Sequence, residues 1–373
     1  MNNNDMRSPY NLPTPCLLID RERTLNNIRM MQERADGLGL KLRPHIKTHR
    51  MPYFAKLQVE AGAAGIACAK IGEAEVMADA GINDIFIANE VIGIDKYERL
   101  RDLHRRIHVR IGIDNKVQLA QMEEIFAKEE KPLEVLIEYE VGEVRSGIVE
   151  DDQLVDLVEA IKRCKHVVLK GIFSHEGHTY KADDMDDCVR KAKIAYERTL
   201  RAANLIREMD VEFDTVSIGA TPSIMNGAYL EGITELRLGT YIFFDVGQSK
   251  AINDFSHCAA TVLASVISKP HGERVVMDSG AKALVSQNRP TGICATKGFG
   301  AIKGAEHINI ENLFDEHAVL NSAEFRDKVE IGDKVEVIPS HICPTVNLYD
   351  KAYLVSEGEV IDEIPVECRG KSQ

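Results

Sequence analysis

The chain has 373 residues, 44% of them apolar, and a formal net charge of −13. That length suits one barrel-sized domain plus a smaller module, and the negative charge argues against nucleic acid or an anionic membrane as partner. No stretch approaches the roughly 18 apolar residues of a membrane span, and the opening Met1-Asn2-Asn3-Asn4-Asp5 lacks the basic-then-apolar pattern of a signal peptide.

In chain order, the apolar run Cys16-Leu17-Leu18-Ile19 leads to Asp20, a residue suited to cap a helix over 21–37. Strand-like runs then recur at 40–46, 65–69, 84–88, 108–113, 133–139, 167–174, 213–218 and 233–238. Amphipathic stretches such as 50–61, 73–80, 116–128, 152–163 and 184–207 lie between them. Eight such runs alternating with helices predict a (β/α)8 TIM barrel over 20–252. An open doubly wound sheet is the alternative. From 253 to 373 the pattern changes to short β-branched runs at 259–268, 273–278, 301–310, 334–338 and 351–356, separated by Gly, Asp and Pro turns. This predicts a mostly β domain, and the segment 1–19 is expected to join it. The eight cysteines are scattered without a CxxC. With no export signal, they read as thiols kept reduced in the cytoplasm.

Chemistry in such barrels collects at the C-terminal strand ends. The first end reads Arg43-Pro44-His45-Ile46-Lys47-Thr48-His49, and the fifth is followed by Gly142-Glu143-Val144-Arg145-Ser146-Gly147. The sixth runs into His175-Glu176-Gly177-His178-Thr179-Tyr180, the seventh into Gly219-Ala220-Thr221-Pro222-Ser223, and the eighth into Arg237-Leu238-Gly239-Thr240-Tyr241. The last two loops offer amides and hydroxyls where phosphate groups bind in this fold. A lysine opposite a phosphate anchor suggests pyridoxal phosphate, with the lysine forming the Schiff base and the pyridine ring acting as electron sink. The bland alternative is a solvated or ion-paired lysine. Far down the chain, His341-Ile342-Cys343 is expected on a strand, where a period of two puts both side chains on one face as half of a metal site. Two packed residues are the alternative there, as core positions are for His175 and His178. Arg145 has Glu140 and Glu143 as alternative partners.

These residues resemble the D-serine dehydratase and D-threonine aldolase family of fold-type III pyridoxal phosphate enzymes, related to alanine racemase. The resemblance rests on Pro44-His45-x-Lys47-Thr48-His49, Gly72-Glu73-Ala74-Glu75, Gly219-x-Thr221-Pro222, Gly239-x-Tyr241-x-Phe243-x-Asp245 and His341-x-Cys343, and runs from Thr14-Pro15 to Arg369-Gly370. It implies a homodimer with a divalent metal beside the cofactor. By motif, Lys47 is the Schiff-base lysine and the Cα base. Gly219, Thr221, Gly239 and Thr240 are phosphate contacts, Tyr180 and His175 flank the ring, Arg145 lies near the phenolic oxygen, and Arg237 faces the pyridine nitrogen. His341 and Cys343 are the metal pair, and thiolate with imidazole favours zinc, with manganese as the alternative.

The implied activity is a lyase on D-3-hydroxy amino acids. The dehydratase outcome, a 2-oxo acid and ammonia from D-serine, D-threonine or D-3-hydroxyaspartate, is favoured because metal-assisted loss of hydroxide explains a thiolate site. The alternative is an aldolase giving glycine and an aldehyde, with His175 or His178 as base. A pyridoxal phosphate carrier is a third reading, opposed by the β domain and by His341-x-Cys343.

Overall fold

The computed structural model describes residues 8–373, so residues 1–7, assigned above with the β domain, lie outside the described residues. The described chain divides into two compact units. The first strand, β1 (Cys16–Asp20), belongs to the β unit, and the helix Arg21–Gly37 that follows is capped by Asp20, whose Oδ1 accepts the amide of Arg23 at 2.9 Å.

The barrel unit comprises Met30–Lys47, Pro52–Gly239 and Gly370–Gln373. Its strands are β2 (Lys41–Leu42), β3 (Ile66–Cys68), β4 (Asp84–Glu90), β5 (His108–Ile113), β6 (Leu133–Glu138), β7 (Val167–Phe173), β8 (Thr215–Ile218) and β9 (Glu235–Leu236). They form one parallel sheet of eight strands in the order β2-β9-β8-β7-β6-β5-β4-β3. A parallel bridge between His45 and Ala67 joins its two ends, with the Ala67 amide donating to the Pro44 carbonyl at 2.8 Å. The sheet therefore curls shut as the expected TIM-type barrel. Pairing continues past β2, with the Arg43 and His45 amides donating to the Leu236 and Leu238 carbonyls at 2.8 Å, although Pro44 between them has no N–H to give. Lys47 lies beyond the strand, in the 3-10 turn Ile46–Thr48.

Strands buried on both faces need continuous apolar sequence, and β3 and β6 provide it in Ile66-Ala67-Cys68 and Val135-Leu136-Ile137. Inside the barrel, Phe86, Leu136 and Phe173 form a cluster, the two rings meeting edge to face at 5.1 Å. Gly112 on β5 makes room for it, since a Cβ there would lie 2.9 Å from the end of the Phe173 ring. The helices Pro52–Glu60, Ile71–Asp79, Ile94–His104, Lys116–Ile125, Asp151–Lys162 and Met185–Arg207 cover the outside, and the short helix Thr221–Met225 follows β8.

The β unit comprises the described residues up to Arg29, Thr48–Met51 and Thr240–Arg369. Its strands are β10 (Ala260–Ser268), β11 (Arg274–Met277), β12 (Gly300–Ile302), β13 (Ala305–Asn309), β14 (Asn312–Leu313), β15 (Ala318–Asn321), β16 (Lys334–Pro339), β17 (Lys351–Ser356) and β18 (Glu359–Pro365). The main path is β13-β12-β16-β10-β1-β17-β18, with β1 antiparallel to β10 and parallel to β17. Its core gathers Val262, Val275, Leu320, Val337 and their neighbours. All eight cysteines are free thiols. No described helix is long and apolar enough to cross a membrane.

Candidate active site

The barrel unit brings together Lys47, His45, Arg145, His175 and Arg237, all beyond or at the C-terminal ends of strands. Burial holds the imidazoles of His45 and His175 well below their ordinary range, and the positive charges of Lys47, Arg145 and Arg237 push both further down. Both rings are therefore neutral at pH 7. His175 Nδ1–H donates to the carbonyl of Gly219 at 2.5 Å, which leaves Nε2 as the unprotonated nitrogen. The ring of Tyr180 meets that of His175 edge-on at 6.3 Å.

Arg237 is a buried guanidinium. It donates from Nη1 to Ser217 Oγ at 2.9 Å and from Nη2 to the Ser174 carbonyl at 2.8 Å, and lies over the Phe173 ring at 5.0 Å. Burial lowers its pKa. Arg145 pairs with neither Glu140 nor Glu143 but with Glu138 on β6, at 3.1 Å. Three left-handed positions, Gly142, Val144 and Gly147, fold this loop back so that Ser146 also donates to Glu138.

Gly219 approaches the next strand so closely that a Cβ would sit 2.5 Å from the Arg237 carbonyl oxygen. Its amide donates to the buried carboxylate of Glu176 at 3.1 Å, which also accepts from the hydroxyl of Tyr196. Thr221, buried at the first position of helix Thr221–Met225, keeps its place at this strand end, and Gly239 closes the last one. His178 is not gathered with the lysine group. Its half-buried ring lies against Gly142, and the charges acting on it are Glu140, Lys191 and Arg198.

In the β unit, His341-Ile342-Cys343 is not on a strand. Strand β16 ends at Pro339, His341 is the N-cap of helix Ile342–Val346, and Pro344 is tolerated because a first helical turn needs no N–H there. The turn is fixed by the Ile342 amide donating to Asp245 Oδ2 at 3.1 Å and by the Thr345 hydroxyl donating to the His341 carbonyl at 2.8 Å. The Cys343 sulfur lies 3.3 Å from Thr48 Oγ1 and 3.8 Å from Thr240 Oγ1. Thr240, expected at phosphate, thus has its hydroxyl beside the cysteine. His341 Nδ1 lies 3.0 Å from Gln287 Oε1. Sequence reasoning missed Thr48, Gln287, Glu138 and Glu176, because no spacing along the chain links them to their partners.

The cation set at the barrel ends fits pyridoxal phosphate. An anionic ester and phenolic oxygen would offset positive charge that otherwise bears on two buried, neutral histidines. A thiol and an imidazole two residues apart fit two positions of a divalent ion of zinc-like softness. Among the described residues no group of three His, Cys, Asp or Glu side chains is gathered for a metal.

Comparison with known proteins gives a consistent set. The model of the alanine racemase N-terminal domain matches residues 19–246, and that of a putative serine dehydratase domain matches 259–355. The chain is 32% identical to a D-threonine aldolase of Arthrobacter sp over 96% of this chain and 93% of the relative. It is 30% identical to the D-threo-3-hydroxyaspartate dehydratase of Delftia sp. strain HT23 over 90% of this chain and 92% of the relative. The crystal structure of a D-threonine aldolase from Filomicrobium marinum matches with a TM-score of 0.87 at 28% identity, covering 98% of each chain.

Proposed function

We propose that this chain, which belongs to the family joining an alanine racemase N-terminal domain to a serine dehydratase domain, is a pyridoxal phosphate-dependent lyase of D-3-hydroxy amino acids acting as a dehydratase. The observation that carries the reading is Lys47 set among His45, His175, Arg145 and Arg237 at the strand ends of the barrel.

In this reading Lys47 would hold the cofactor, and its Nζ would take the Cα proton of the substrate. When bound, the cofactor supplies an electron sink for the carbanion at Cα. Arg237, fixed by Ser217 and Ser174, would supply a cation toward the ring. Arg145, fixed by Glu138, would supply a cation toward the phenolic oxygen. His341 and Cys343 would hold a divalent ion, zinc in preference to manganese, and that ion would supply Lewis acidity toward a substrate hydroxyl. The released enamine takes up water to give a 2-oxo acid and ammonia. The Cys343 donor supports dehydration over aldol cleavage.

An aldolase is the second reading. It is favoured by the likeness to the Arthrobacter enzyme and by the His175 tautomer, whose Nε2 is ready to accept the β-hydroxyl proton. The place of His178 against Gly142 makes His175 the better base of the two. The homodimer and the cytoplasmic location are carried forward from the family and from the thiol content. The test is ammonia release from D-serine, D-threonine and D-threo-3-hydroxyaspartate against their L-enantiomers. Turnover confined to the D-forms supports the reading, and no turnover of any D-form rejects it.

A further inference from the structure

A metal pair of only two side chains depends on what holds those side chains. Both donors of the pair are engaged by a polar group of their own in the β unit. His341 presents Nδ1 to Gln287 Oε1 at 3.0 Å, and an amide oxygen accepts, so Nδ1 carries the proton and Nε2 the lone pair. Gln287 is itself tied to the same turn, since Ser340 Oγ donates to its backbone carbonyl at 2.8 Å. Its loop is closed by Arg289 and Thr296, with the Thr296 amide donating to the Arg289 carbonyl at 2.8 Å and the Arg289 amide to Thr296 Oγ1 at 3.2 Å. The Cys343 sulfur meets the hydroxyl of Thr48, a fully buried residue, at 3.3 Å. A metal-binding cysteine is a thiolate and only accepts, so the threonine O–H must donate to it.

We propose that Gln287 and Thr48 are positioning residues of the metal pair, Gln287 selecting the His341 tautomer that binds through Nε2 and Thr48 aiming the Cys343 thiolate by an O–H···S bond. The proposal rests on the reading of His341 and Cys343 as metal ligands. Partners of this kind fix ring orientation and ligand basicity, and their loss typically weakens metal binding by roughly 10- to 100-fold. Thr48 directly follows Lys47 in the turn Ile46–Thr48, so the residue that touches the sulfur is the chain neighbour of the reactive lysine.

The experiment strips metal from the cofactor-loaded protein and titrates zinc ion in competition with a chromophoric chelator. Thr48→Val keeps the shape and loses the O–H, while Thr48→Ser keeps the O–H. Gln287→Ala loses the acceptor, while Gln287→Glu keeps it with added charge. Thermal melts of the metal-free variants separate a folding defect from a ligand effect. The expected result is zinc affinity lowered roughly 10- to 100-fold in Thr48→Val and Gln287→Ala, regained in Thr48→Ser and Gln287→Glu, with unchanged metal-free melts. Wild-type affinity in Thr48→Val and Gln287→Ala, or equal weakening in each conservative partner, overturns the inference. Wild-type zinc affinity in His341→Ala or Cys343→Ala instead overturns the metal reading beneath it.

Discussion

Arg43 Nε lies 2.8 Å from Glu235 Oε2, and both side chains are 2% exposed. The same guanidinium reaches Asp84 Oδ1 at 2.5 Å from Nη1, and Ser217 donates to the other oxygen of Glu235 at 2.9 Å. A buried pair satisfied on both sides costs most when one partner is removed, because the other charge stays behind. Arg43→Ala is expected to lower the unfolding free energy by about 3–5 kcal/mol, read as a fall in denaturant midpoint. The double variant Arg43→Met with Glu235→Leu should recover most of that loss.

His108 at the start of β5 lies 3.1 Å from Asp84 Oδ2 and 3.0 Å from Glu134 Oε2. These two hydrogen bonds raise its pKa from 6.5 to about 9. A raised histidine pKa stabilises the fold fully below the unfolded value of 6.5 and loses that contribution as pH rises through about 9. His108→Gln is expected to melt below wild type at pH 6 and to converge with it at pH 10. Parallel melting curves at both pH values would contradict the assignment.

Glu90 at the end of β4 has Oε1 buried with no hydrogen-bond partner, and burial followed by its hydrogen bond to Glu138 pushes the carboxyl up to about 9. The folded chain thus keeps a proton that the unfolded chain gives up near 4.5, so this group costs stability progressively as pH rises from 4.5 to about 9. Glu90→Gln holds the same hydrogen bond without a proton to lose. Its melting temperature is expected to exceed that of wild type at pH 9 and to match it at pH 5.

Lys47→Ala tests the covalent role directly. Borohydride reduction of the cofactor-loaded protein and peptide mapping should place the label on the peptide carrying Lys47 and leave the variant unlabelled. The rate should fall at least about 10²- to 10⁴-fold, the usual worth of a positioned general base. A label on another lysine would move the role away from Lys47.

The barrel was legible because eight short strand-like runs alternate with amphipathic stretches, and the cap read at Asp20 does accept the Arg23 amide. Helix Ile94–His104 buries only Tyr97, Leu100 and Leu103, too thin a stripe to stand out in a charged segment. The His341-x-Cys343 spacing was readable but its setting was not. A period of two fits a strand, and only the turn set by Asp245, far away in the chain, makes it a helix start instead. Arg145 was legible as a cation near the site, whereas its partner Glu138 depends on a loop reversed through left-handed positions at Gly142, Val144 and Gly147. Gln287 carries no signal in the sequence, and Thr48 is read only as part of the lysine motif, since ordinary polar residues gain a role only from the fold that places them beside His341 and Cys343.

The central claim is dehydration of a D-3-hydroxy amino acid, and product analysis with D-threonine tests it most directly. Protein loaded with cofactor and zinc is expected to yield 2-oxobutanoate and ammonia in equal amounts. Glycine and acetaldehyde in place of the keto acid would contradict the dehydratase and assign the chain to carbon–carbon cleavage.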